Sequence, residues 1–195
     1  MKLIILNRKR LGVTIIIVGL MLILFGFEKK FDGRLKYVAL IQNNINSLKK
    51  YEVPDLKFNY KLPDKWTTQK EDLGGGEVLY HNNFSSEDSS VYGFVQVWKL
   101  REELKSFLER SKEFSEKSGF YSDYKLSPIS VKKYEGYELT YTMTVSDDRV
   151  YIGHEYFLKD KGKFYRFSFF VRKANYKENM TTIFKTIVDT MEVSS

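Results

Sequence analysis

The sequence predicts an α+β domain, an antiparallel β-sheet with helices packed on it, preceded by one N-terminal transmembrane helix. Three observations lead there. Leu11–Phe27 is an uncharged apolar run. Strict apolar/polar alternation, the period of a half-buried strand, marks Tyr137–Val145, the first strand of a meander that runs to Arg172. Two further segments, Lys99–Phe120 and Tyr176–Met191, instead space their apolar residues by three and four, the period of a helix with one buried face.

The run LGVTIIIVGLMLILFGF has seventeen residues and follows Arg8-Lys9-Arg10 directly. At about 1.5 Å rise per residue it covers roughly 25 Å, the short end of a bilayer span, and flanking basic side chains can snorkel to make up the difference. A cleaved signal peptide has a shorter core and a small-x-small cleavage site, whereas this run ends in Phe25-Gly26-Phe27-Glu28-Lys29. The reading is an uncleaved anchor at 11–27 that places the lipid bilayer among the partners. Lys2, Arg8, Lys9 and Arg10 precede it with no acid among them, so residues 1–10 are expected as a cytoplasmic tail. Residues 28–195 then lie outside the cell membrane.

Of the formal charge of +7, four units belong to residues 1–27, leaving +3 on the rest. There the signs are interspersed, as in KSFLERSKEFSEKS, with no long basic stripe of the kind that tracks phosphates. No nucleic-acid partner is expected. The chain has no cysteine, which excludes disulfides, thiolate nucleophiles and cysteine-based zinc sites. An exported domain of this kind must be held by its core alone.

Residues 28–55 read as a helical stalk or linker. Leu35, Val38, Ile41, Ile45 and Leu48 form one apolar stripe, Lys49-Lys50 suit a last turn and Pro54 stops the helix. The stripe packs on the domain or the membrane surface, or it supports weak self-association through residues 35–48. From residue 56 to 195 one domain follows. Leu56–Leu62 alternates as a strand and Pro63-Asp64-Lys65-Trp66 turns. Glu77–Phe84 and Val91–Leu100 are strands, the second apolar on both faces and so central. Leu100, Leu104, Leu108 and Phe114 line one side of the helix Lys99–Phe120, which ends near Gly119. Lys125–Lys133 is a short strand whose Pro128 favours an edge or a bend. A meander follows through Tyr137–Val145, Arg149–Lys159 and Phe164–Arg172, with turns at Ser146-Asp147-Asp148 and Asp160-Lys161-Gly162. The closing helix buries Met180, Ile183, Phe184, Ile187, Val188 and Met191.

The opening Phe58-Asn59-Tyr60-Lys61-Leu62-Pro63-Asp64-Lys65-Trp66 is similar to the start of PsbP-like domains. Two strands, the helix with Leu104 and Leu108, a Gly136-led meander and the final I-x-x-T-I-V-D-T-M-E-V agree with it, covering residues 56–195. The resemblance implies an α-β-α sandwich. It also implies a non-enzymatic binding or assembly module, as in the extrinsic photosystem II subunits and many membrane-anchored bacterial domains. No partner-binding motif carries over residue by residue.

Candidate chemistry is sparse, and no catalytic, cofactor or metal residue is assigned. His81 and His154 stand alone in strand-like stretches, and the neighbours His154 and Glu155 face opposite sides of a strand. Glu87-Asp88 and Asp147-Asp148 lack the ligand spacing of a calcium loop. Gly74-Gly75-Gly76 runs into a strand, not into Lys-Ser/Thr and a helix, so it reads as a turn. Tyr and Phe are abundant, notably over Phe164–Phe170; most should pack the sheet, and a minority should line a groove for a peptide, glycan or partner protein. The expected function is a membrane-anchored extracytoplasmic binding or assembly module without catalysis of its own. The alternatives are a cell-envelope enzyme with a polar pocket and a self-associating stalk protein.

Overall fold

The computed structural model describes residues 34–43, 45–74, 76–145 and 149–194. The expected anchor at 11–27 and tail at 1–10 lie outside them. Among the described residues no helix is long and apolar enough to cross a membrane.

Residues 34–42 are helical (α1). Among the described residues, ten strands and two further α-helices follow: β1 (Leu48–Val53), β2 (Phe58–Pro63), β3 (Thr67–Lys70), β4 (Val78–Ser85), β5 (Val91–Lys99), α2 (Leu104–Ser118), β6 (Tyr121–Val131), β7 (Tyr134–Thr144), β8 (Val150–Asp160), β9 (Lys163–Arg172), α3 (Asn179–Val188) and β10 (Glu192–Val193). Their pairings are antiparallel throughout. The large sheet runs β3-β4-β5-β9-β8-β7-β6, and a small one runs β1-β2-β10. The chain is therefore α+β as expected, with β5 and β9 in the interior of the large sheet and the Pro128 strand at an edge.

The two sheet faces are covered differently. On one face, Phe58, Tyr60 and Leu62 of β2 and Ile183, Phe184 and Ile187 of α3 pack on Val95, Val97, Tyr165, Phe167 and Phe169. All six residues expected on the buried side of the closing helix are buried. Phe184 stacks on Phe169 with ring centroids 4.3 Å apart. On the other face, Leu104 and Leu108 of α2 pack on Leu139, Tyr141, Phe157 and Phe164. Phe114, expected beside them, has a side chain outside the described set.

Two glycines are required by geometry. Gly162 takes φ +72° in the β8–β9 turn, where other residues are strained. A Cβ on Gly136 would stand 1.7 Å from the Phe157 carbonyl oxygen, so β7 and β8 can approach only without one.

The stalk differs from expectation. Its helix ends at residue 42, and Leu48–Val53 is a strand, paired from Leu48↔Pro63 to Val53↔Phe58. The folded unit thus begins before residue 56. Tyr51 stacks on its cross-strand neighbour Tyr60, a contact that favours the strand over the helical spacing of Ile45 and Leu48. Most of the predicted stripe does not pack on the domain. Ala39 is the buried residue of α1, whereas Leu35, Val38 and Ile41 are exposed. β3 and β10 have no counterpart in the sequence pattern; both are short, and the four residues of β3 are all exposed.

Candidate functional site

The α2-side face of the large sheet should be apolar throughout, yet a polar row crosses it. Alternation along each strand places His81 (β4), Gln96 (β5), Arg166 (β9), Glu155 (β8) and Tyr141 (β7) on this one face.

The row is joined by hydrogen bonds. Trp98 Nε1 donates to Gln96 Oε1 at 2.8 Å, and Arg166 Nη1 approaches the same oxygen at 3.5 Å. That fixes the amide, so Gln96 Nε2 donates to His81 Nδ1 at 2.8 Å. The ring proton then sits on His81 Nε2, which donates to Asn83 Oδ1 at 2.9 Å. At the other end, Glu155 Oε2 accepts from Arg166 Nε at 2.5 Å and from Ser168 Oγ at 2.7 Å. Glu155 Oε1 accepts from Tyr141 Oη at 2.6 Å.

Glu155 is 2% exposed. Burial pushes its carboxyl up, but the Arg166 charge and the bonds from Arg166, Tyr141 and Ser168 outweigh burial and hold it below its ordinary value. The guanidinium lies 4.9 Å from the Phe94 ring centroid and 5.3 Å from that of Phe157. Two aromatic faces and one carboxylate therefore set its position. Its side chain keeps 26% of its surface, so one edge remains open.

That edge looks into a cavity of about 270 Å³ between the sheet and α2. Trp98, Phe107, Tyr121, Tyr124 and Tyr141 line it, with Arg166 and Glu155 among its polar groups and Ser111 and Ser115 at the helix side. The first turns of α2 bury Leu104 and Leu108; one and two turns further on, two serines stand where larger apolar side chains would have closed the gap.

The two histidines are not brought together. His154 lies on the opposite face, stacked on Tyr176 and 5.6 Å from the Phe184 centroid, with Nε2 3.1 Å from Tyr176 Oη. Its Nδ1 is 4.0 Å from Glu138 Oε1, and Lys185 Nζ is 3.5 Å from Glu138 Oε2. His154 foremost, with Lys185, holds the Glu138 carboxyl below its ordinary value against burial. His154 and Glu155 face opposite sides, as the strand period requires. Among the described residues no group of three metal-ligating side chains occurs. Asp88 is tied into its own turn by Ser86 and Ser90, while Asp147 and Asp148 lie outside the described residues. Gly74 and Gly76 both have positive φ, consistent with a turn.

No protein-family model matches this sequence, and no curated protein matches it either. Solved structures do. The cyanobacterial PsbP (CyanoP) of Synechocystis sp. PCC 6803 superimposes with TM-score 0.56 at 14% identity, over 77% of this chain and 94% of that one. A protein from Bacteroides thetaiotaomicron superimposes with TM-score 0.52 at 14% identity, over 75% of this chain but only 48% of that one. The described domain has the PsbP-like fold. At such identities the likeness speaks to fold and leaves function to the site.

Proposed function

We propose that this chain is a membrane-tethered extracytoplasmic binding module that holds a partner protein and performs no catalysis of its own. The observation that carries the reading is the state of the polar groups around the α2 cavity. Both Glu155 oxygens and both His81 nitrogens are already engaged within the protein. A general base or nucleophile needs a free reactive atom within reach of substrate. Here the charged pair positions Arg166, and the aromatic walls supply contact area. A site of aromatics around one oriented guanidinium is a recognition surface, of the residue types that dominate binding energy. A volume of about 270 Å³ seats one large side chain of a docked protein.

The tether is the run Leu11–Phe27, with the N-terminus in the cytoplasm. Confinement to the membrane raises the effective concentration of the module beside membrane partners. The absence of cysteine makes the test direct. A photoactivatable thiol crosslinker on Ser111→Cys, at the cavity mouth, should give a discrete protein adduct in native membranes. The same probe on Ser90→Cys, in the β4–β5 turn, should not. Equal adducts at both positions, or none at 111, would sink the proposal.

A further inference from the structure

We infer that α1 lies on the membrane surface, with its outward apolar face immersed at the lipid headgroup level. This rests on the proposed anchor at 11–27 and adds a second membrane contact to it.

α1 is fixed to the domain on one side. Lys36 Nζ donates to Asp189 Oδ2 at 2.7 Å, Asn179 Nδ2 donates to Gln42 Oε1 at 3.0 Å, and Ala39 is buried. Leu40 packs beside it on the core. At 100° per residue Leu35, Tyr37, Val38 and Ile41, all between 47% and 66% exposed, fall within an arc of about 160° that also carries Arg34 and Gln42. Among the described residues nothing covers most of the surface of these four large apolar side chains, in contrast to the scattered single residues normal on protein surfaces.

Chain geometry selects the occupant. The apolar run ends at Phe27 and α1 is helical from residue 34, seven residues on. Even fully extended, seven residues reach only about 25 Å, so the start of α1 cannot leave the neighbourhood of the bilayer. Charge agrees. Lys29, Lys30 and Arg34 outnumber Glu28 and Asp32 around this junction, which suits an anionic headgroup layer. An apolar arc with a tyrosine, flanked by basic residues, is the composition of an interfacial helix. Pairing with a second copy through the same face would need about three or more heptads of stripe, and the helix stops at residue 42. The consequence is a fixed orientation, because a rigid helix and an anchor together hold the domain at one tilt over the membrane.

The test uses the full chain in vesicles of phosphatidylcholine with a minority of phosphatidylglycerol. Nitroxide labels are placed singly at Leu20→Cys, Ile41→Cys and Lys105→Cys, and collision with oxygen is compared with collision with a water-soluble nickel complex. The labels at 20 and 41 should both favour oxygen, and that at 105, on the exposed side of α2, should favour nickel. A label at 41 as nickel-accessible as that at 105, with 20 still in lipid, overturns the inference and leaves the anchor standing. A label at 20 exposed to nickel removes the anchor, and this inference with it. Shielding of 41 from both reagents, with spin–spin broadening, overturns it in favour of a second copy.

Discussion

Replacing Arg166 by Met should strongly destabilise the domain, and additionally replacing Glu155 by Leu should recover part of the loss. The single change leaves a 2% exposed carboxylate with only the Tyr141 and Ser168 hydroxyls to support it. Stranding one member of a buried ion pair costs about 3–5 kcal/mol. Replacing both members by apolar groups of similar size is neutral to stabilising, against about 1–3 kcal/mol for each of the Tyr141 and Ser168 hydroxyls left unpaired. The double variant should therefore be more stable than the single one, and adding Tyr141→Phe and Ser168→Ala should bring the chain within about 2 kcal/mol of the parent by the same balance. Chemical denaturation of the chain from residue 28 onward, at several pH values, measures both. The pH slopes carry the sign. In the parent, Glu155 is held below its ordinary value of 4.5, so its contribution is present above that pH and is lost as acid titrates the folded carboxyl. Without Arg166, burial raises the folded value, so the penalty grows with rising pH and shrinks as acid neutralises the group. A single variant costing under about 1 kcal/mol, or one keeping the parental slope, would refute the ion-pair account of this site.

Three other outcomes follow from the geometry. Phe184→Ala removes a fully buried ring stacked on Phe169 and should cost about 3–5 kcal/mol, read as a shift in denaturation midpoint. Gly136→Ala drives a methyl into the Phe157 carbonyl and should cost at least about 1–3 kcal/mol, with loss of β7–β8 amide protection in hydrogen exchange. An impermeant thiol reagent on intact cells should label Ser90→Cys and spare Asn7→Cys; the reverse pattern would invert the proposed orientation.

Much of the large sheet is legible in the sequence because alternation, turn residues and a helical apolar stripe agree with one another there. The meander, the central strand and the six buried residues of the closing helix segment follow from period alone. Leu48–Val53 is not legible in that way. Lys49-Lys50-Tyr51-Glu52 lacks clean alternation, and the helical spacing from Leu35 runs straight into it. Its strand state is decided by pairing with β2, a partner that no local pattern names. The α1 stripe leaves its cover open for the complementary reason, since apolar spacing marks a face without saying what covers it. The Glu155–Arg166 pair leaves a readable trace. Each is a charged residue in an apolar strand stretch, and a two-residue turn at Lys161-Gly162 pairs Asp160 with Lys163, hence Phe157 with Arg166 and Glu155 with Ser168. Glu155 and Arg166 are then diagonal neighbours on one face, the position from which long side chains meet. The cavity beside them is not recoverable from pattern, because it depends on where α2 crosses the sheet.

The central claim is that tethering and the α2 cavity act together to hold a protein partner. The direct measurement is the yield of the Ser111→Cys crosslink in living cells, compared at equal protein amounts between the full chain and an exported chain lacking residues 11–27. The account predicts a discrete adduct for the full chain that falls at least about tenfold without the tether, since local concentration is lost. Equal yields from the two chains, or no adduct from the full one, would contradict it.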